Sequence, residues 1–308
     1  MDILSAFFNY ITDELAFSEH TVAAYRNDIE QWRSFVAPQV TDLKDFDPMT
    51  VTTNDTRAWV AWLGKQGMST SSIKRKLSSV RALYRFMIKR HGVKTNPVTA
   101  IKINRREKPL PKFIDAGEIN NILDTLDNEA CNETDYKGVL TDLILNLLYQ
   151  SGMRASELVA LTDDRVDCER GELKVLGKRN KERIIPFAPA LGDIISKYLD
   201  IRPRPFVAGS PFLLDEEGTP VNYNKVYRIV RGTLDGNVSS PKRSPHVLRH
   251  TFATDMLNGG ADLTSVRKLL GHESLATTQI YTHVSVAELH DSYNKAHPRA
   301  RHEDKTKD

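Results

Sequence analysis

Pro245-His-Val-Leu-Arg-His-Thr-Phe-Ala-Thr254 and Leu269-Leu-Gly-His-Glu-Ser-Leu-Ala-Thr-Thr-Gln-Ile-Tyr-Thr-His283 are the two strings on which the reading of this chain turns. Between them they place His246, Arg249, His250, His272 and Tyr281 within forty residues, a mixture of imidazole, guanidinium and phenol. Upstream, Ser151-Gly-Met-Arg-Ala-Ser-Glu-Leu158 adds Arg154 and Glu157, and Gly177-Lys178 adds an amine. Singly, each string is ordinary. An arginine in a helical segment is usually a surface group, a Gly-Lys loop is usually a hairpin turn, and a tyrosine near a C-terminus is usually packed or exposed. Their order and spacing carry the information.

The chain has 308 residues, about right for two domains. With 40% hydrophobic and 27% charged residues it fits neither a disordered nor a membrane protein, and no stretch is long and apolar enough to span a bilayer. The N-terminus lacks the basic region and cleavage site of a secretory signal, and Asp13 and Glu14 interrupt its apolar run, so a cytoplasmic location is expected. Cys131 and Cys168 form no CxxC pair, so neither a disulfide framework nor a cysteine zinc site is indicated, and both read as reduced thiols. Residues 1–64 hold ten Asp/Glu and four Lys/Arg, whereas 65–112 hold fourteen Lys/Arg and one acid, Glu107. That concentration of positive charge suits a polyanion, although a solvated basic helix face has the same composition.

Val22, Tyr25, Ile29, Trp32 and Val36 recur at helical spacing, with Ser18 as N-cap; Ile73, Leu77, Val80, Tyr84 and Met87 repeat the stripe. With Ile3–Ile11 and a helix carrying Trp59, Trp62 and Leu63, four helices are expected in residues 1–103. Lys74, Arg75, Arg81, Arg85 and Lys89 lie off the last stripe and can form a basic surface. Residues 104–112, with Arg105, Arg106 and prolines 109 and 111, read as a linker. A second domain, 113–297, begins with helical patterns at 116–126, 139–150 and 156–161. A hairpin of 172–176 with 183–187 follows, and then further helices. Residues 298–308 read as a flexible tail.

Taken together the strings resemble the tyrosine recombinases, also called the phage integrase family, and within it the Xer chromosome-resolving group. The likeness extends over essentially the whole chain and is strongest in 244–284. It implies a mainly α fold: a four-helix, SAM-like, DNA-clamping domain and a mainly helical catalytic domain with a small antiparallel sheet, closing as a C-shaped clamp on duplex DNA. By matching position it implies Arg154, Lys178, His246, Arg249, His272 and Tyr281 as catalytic residues, with Glu157 as the accessory acid. The chemistry is coherent. Guanidinium forks suit nonbridging phosphate oxygens. A tyrosine with an ordinary pKa near ~10 needs a neighbour such as His246 to attack, and a leaving 5′ oxygen needs an acid such as Lys178. The resemblance implies neither metal nor nucleotide cofactor. Arg179 departs from the Xer pattern, which usually has glycine there; the change leaves the Lys178 assignment standing and either alters the turn geometry of the loop or adds a phosphate contact.

Two other motifs fail. Gly171 and Gly177 are separated by five residues where a phosphate-binding loop has four, and Arg179 replaces its Ser or Thr. His246 and His250 have metal-ligand spacing, but Val247 stands in place of the zincin glutamate, so no metal is expected and His250 reads as a structural hydrogen-bonding residue. Two rival functions remain, a type IB topoisomerase and a non-catalytic DNA-binding regulator; a Xer-like N-terminal half and a complete catalytic set argue against them. By resemblance alone the partners are double-stranded recombination sites, a homotetramer or a heterotetramer with a second recombinase, and a septal DNA translocase. Chromosome-dimer resolution and mobile-element integration are left open. Val284, Val286, Leu289 and Tyr293 form a last apolar stripe, which either packs on its own domain or docks into a neighbour.

Overall fold

The computed structural model describes residues 2–41, 45–103, 113–131, 135–177, 181–271 and 285–300. The chain forms two compact units, Met1–Pro109 and Leu110–Asp308. The expected linker 104–112, with Arg105 and Arg106, lies outside the described residues.

In the first unit, α1 (Ile3–Asn9) continues into a π-helical turn, Tyr10–Glu14. It is followed by α2 (Glu19–Val36), α3 (Thr53–Lys65) and α4 (Thr70–His91). Each long helix starts where a hydroxyl takes up an orphan backbone N–H: Ser18 accepts from Thr21, Ser69 from Ser72, and Thr52 and Asp55 cap each other reciprocally. Gly92, at φ +67°, ends α4 in the left-handed conformation that glycine adopts without strain. The two apolar stripes meet as expected. Ile29 and Trp32 of α2 are buried with Leu77, Val80, Tyr84 and Met87 of α4 and Trp59 and Leu63 of α3, each contributing about 1.5–3 kcal/mol by leaving water.

Arg75 corrects the simple picture of a free basic face. It donates to both oxygens of Asp28 at 2.7 Å, joined by Lys76 at 3.1 Å and the Ser79 hydroxyl at 2.8 Å. Asp28 is only 1% exposed, and a carboxylate removed from water needs such partners. Arg75 therefore holds α4 against α2 while its own side chain remains half exposed.

In the second unit, α5 (Ala116–Cys131), α6 (Tyr136–Ser151) and α7 (Ala155–Val159) precede a three-stranded antiparallel sheet of β1 (Val166–Asp167), β2 (Glu172–Leu176) and β3 (Glu182–Pro186). The hairpin lies one residue earlier on β3 than expected, pairing Glu172 with Pro186, and the two-residue β1 has too little pattern to be read in advance. After the sheet come α8 (Pro189–Ile201), α9 (Tyr223–Leu234), α10 (Pro245–Asn258), α11 (Leu263–Leu270) and α12 (Val286–Ala296). Helix α6 is the centre. It is buried from Val139 to Ser151 except at Thr141, and α5, α8, α9 and α10 pack around it. Its polar side chains link to one another one turn apart: Gln150 donates to Asn146 at 2.8 Å and Asn146 to Asp142 at 2.7 Å.

The last stripe packs on its own unit. Leu289 and Tyr293 join the core, Val286 stays exposed, and Val284 lies outside the described residues. Pro298–Ala300, expected in a flexible tail, form a 3-10 turn instead, with Ala300 against the core and Arg299 ion-paired to Asp124 at 2.9 Å. Residues 301–308 lie outside the described residues.

Candidate active site

The geometry starts from the end of α6. Gly152 caps that helix at φ +61°, and a Cβ there would come within 2.3 Å of the Phe252 ring. Only glycine lets the chain turn this tightly against α10. Two residues on, Arg154 occupies the N-cap position of α7, and its backbone N–H and guanidinium both bond the Glu157 carboxylate, at 2.8 and 2.6 Å. The acid thus caps the short helix and orients the arginine at its start.

Arg249 reaches the same place from α10. Its Nη1 donates to the Gly152 carbonyl at 2.7 Å and its Nη2 to the Leu270 carbonyl at 2.5 Å, so one buried side chain joins the Arg154 segment to the end of α11. Burial, followed by the nearby charges of Arg154 and Arg183, pushes Arg249 down to about 10, with Glu157 opposing. It is still charged at neutral pH, and its depression registers how much like charge is gathered here. His246, one turn before Arg249, is exposed on the surface of α10.

Arg183 was not anticipated. From β3 it donates to both Glu157 oxygens, at 3.1 and 2.7 Å, and through Nε to the Leu269 carbonyl at 2.8 Å. Burial raises the Glu157 pKa, but hydrogen bonds from Arg183 and Arg154 outweigh it and hold the group below the usual carboxylate range. The available signal was the strand period of two, which puts Arg183 on the face of the buried Ile185 and Phe187.

Among the expected catalytic residues the structure brings Arg154, Glu157 and Arg249 together and places His246 on the same helix as Arg249. Lys178, His272 and Tyr281 lie outside the described residues, as does Arg179. His250 corrects an expectation: it is exposed, with no side-chain hydrogen bond among the described residues, and burial of part of its ring, then His246, Arg249 and Lys242, lower its pKa. Nor do His246 and His250 gain a third His, Cys, Asp or Glu among the described residues that could complete a metal site. On α4, Arg85 and Lys89 are exposed, Lys74 and Arg81 are half-buried, and Arg75 is engaged by Asp28.

A family model described as the phage integrase family matches residues 112–288, and one described as the phage integrase N-terminal SAM-like domain matches residues 4–91. The chain is 39% identical to the tyrosine recombinase XerC of Pelobacter propionicus over 304 residues, covering 98% of this chain and 97% of the relative. It is 35% identical over 302 residues to the XerC of Staphylococcus saprophyticus, covering 98% and 99%. Among solved structures, it resembles the Tn1549 transposon integrase in complex with circular intermediate DNA (TM-score 0.66, 18% identity, 94% and 97% covered). It also resembles the XerH site-specific recombinase in a pre-cleavage complex with its difH substrate (TM-score 0.65, 21% identity, 88% and 78% covered). At these identities the structural likenesses speak to the fold.

Proposed function

Since the chain belongs to the phage integrase family and is a tyrosine recombinase, an enzyme that cuts and rejoins DNA at specific sites, we propose that Tyr281 is its nucleophile and that Arg154 and Arg249 hold the phosphate it attacks. One observation carries the assignment of the arginines. Residues nearly a hundred positions apart converge, with Arg249 bonded to the carbonyls of Gly152 and Leu270, two positions before Arg154 and His272 respectively.

In this reading the Tyr281 phenol attacks the scissile phosphorus, its proton passing to His246. The phosphorus–O5′ bond breaks as Lys178 protonates the leaving oxygen. Arg154, Arg249 and His272 donate to the nonbridging oxygens, where charge accumulates in the transition state. The 3′-phosphotyrosine conserves the energy of the broken bond, so a second strand's 5′ hydroxyl reverses the step without ATP. Glu157 orients Arg154. Lys74, Arg75 beside its Asp28 pair, Arg81, Arg85 and Lys89, with Arg105, Arg106 and Arg179, contact the DNA backbone. Recombination proceeds through a Holliday junction, in the cytoplasm, in a tetramer on paired sites formed by this chain alone or with a second recombinase.

A nicked duplex whose cleaved fragment diffuses away tests the nucleophile. The parent protein should accumulate a covalent adduct, and Tyr281→Phe should bind equally well without forming one. An adduct that persists in Tyr281→Phe moves the nucleophile elsewhere. On intact paired sites, relaxation of supercoils without any junction would make the enzyme a topoisomerase.

A further inference from the structure

Glu157 poses an electrostatic problem for the site it organises. It is buried, ionised and bonded at 2.6 Å to Arg154, so taken as a pair the two cancel. An arginine whose charge is spent on a buried carboxylate is a weak ligand for a phosphate dianion in the making. Arg183 changes that balance. Its two terminal nitrogens take one Glu157 oxygen each, and its side chain is 11% exposed against 31% for Arg154. The inner guanidinium thus faces the carboxylate while the outer one is the more open of the two. Its Nε–H is given to the Leu269 carbonyl, next to the Leu270 carbonyl from which Arg249 hangs.

We propose that Arg183 is a positioning residue for strand cleavage: it takes up the charge of Glu157 so that Arg154 presents an uncancelled cation to the scissile phosphate, and it fixes the end of α11 that also anchors Arg249. This deepens the reading above and rests on the assignment of Arg154 to the phosphate. A purely architectural ion pair, tying β3 to α7, has the same geometry but different consequences. Architecture does not sense the charge of the substrate, and removing the acid after the base does not repair it.

The test uses the full chain, at saturating concentration, on a nicked duplex carrying the site recovered by mapping its covalent adducts. One version has the ordinary scissile phosphate, the other a neutral methylphosphonate. Arg183→Gln should cleave the phosphate about 100-fold more slowly than the parent, with DNA affinity within about threefold. Adding Glu157→Gln should restore about tenfold of that loss, because the uncompensated carboxylate is gone. On the methylphosphonate the Arg183→Gln defect should shrink by at least about tenfold. Equal defects on both duplexes, or a double variant slower than the single one, overturn the proposal. Should Arg183→Gln fail to fold, Arg183→Lys decides. It keeps the charge and should stay within about tenfold of the parent; a loss of about 100-fold at unchanged Tm defeats the charge argument. Arg154→Ala separates the two readings. Normal cleavage by Arg154→Ala removes the underlying assignment, whereas an inactive Arg154→Ala beside a fully active Arg183→Gln removes only the role of Arg183.

Discussion

Tyr293 and His297 lie face to face, with ring centroids 5.0 Å apart, planes 11° from parallel and neither ring exposed. Tyr149 and Phe252 flank the same imidazole, and burial pushes it down to about 3, so it is neutral wherever the protein is folded near neutrality. The end of α12 is thereby sealed to the second unit by a group whose burial strongly disfavours protonation. In the same unit, burial, reinforced by Asp127, pushes the Asp142 carboxyl up to about 7.

The two groups should shape acid stability in opposite senses. Below its ordinary value of 6.5, His297 is protonated in the unfolded chain but not in the folded one until about 3, so its contribution to stability rises with pH across that window. Asp142 is protonated in the folded protein up to about 7 but ionised in the unfolded chain above 3.8, so its contribution falls with pH. Between about 4 and 6.5 they offset each other. Relative to the parent, His297→Asn should lose stability with rising pH, and Asp142→Asn should gain it, each by up to about 1.4 kcal/mol per pH unit in chemical denaturation. Profiles parallel to the parent's would remove both assignments.

Cations on α4 should separate by role. Arg75→Ala leaves the buried Asp28 short of its bidentate partner and should lower stability by about 1–3 kcal/mol in urea denaturation. Arg85→Ala and Lys89→Ala should leave stability within about 0.5 kcal/mol and reduce the salt dependence of DNA affinity, by close to one unit of log–log slope each. An unchanged slope would mean that these two side chains face solvent in the complex.

Gly152→Ala should cost about 2–4 kcal/mol, measured as a lowered Tm, because the added methyl meets Phe252 and the left-handed backbone is strained for alanine. Cleavage measured well below Tm should fall too, since the Gly152 carbonyl that steadies Arg249 must move. A variant that melts and cleaves like the parent would show that this turn has slack.

Lys178→Ala should slow cleavage of ordinary DNA strongly but spare a duplex whose leaving 5′ oxygen is replaced by sulfur, which departs without a proton. The ratio of the two rates is the measurement. An identical defect on both substrates takes Lys178 out of the acid role.

Much of this was legible in the sequence because repeating spacings and short motifs report on different things. The stripes of α2 and α4 were readable because one face of each is buried and the other wet. Helix α10 has no such contrast, being buried around Val247, Leu248, Arg249, Phe252 and Met256, and only its histidines and arginine revealed it. Arg154, Glu157 and Arg249 were found by residue type at fixed order, and the structure supplies their convergence. Other features escaped. The ion pair of Arg75 went unseen because its partner, Asp28, lies 47 residues away in the sequence. Arg183 was absorbed into a strand. The turn at Pro298–Ala300 was hidden by a polar, proline-led composition that ordinarily marks a loose end.

Helix α6, enclosed by four other helices, has a consequence for how this protein can change over time. Its amides are shielded from water and should exchange with deuterium only when the whole unit opens, later than those of the surface helices. Drift along α6 is confined to swaps that conserve volume, such as leucine for methionine, at about 1.5 kcal/mol or less each. Its Asp142–Asn146–Gln150 ladder can be altered only as a set, since removing one rung orphans the next. Within this unit, sequence change is therefore tolerated on the wetter faces of the surrounding helices, while α6 itself stays nearly fixed.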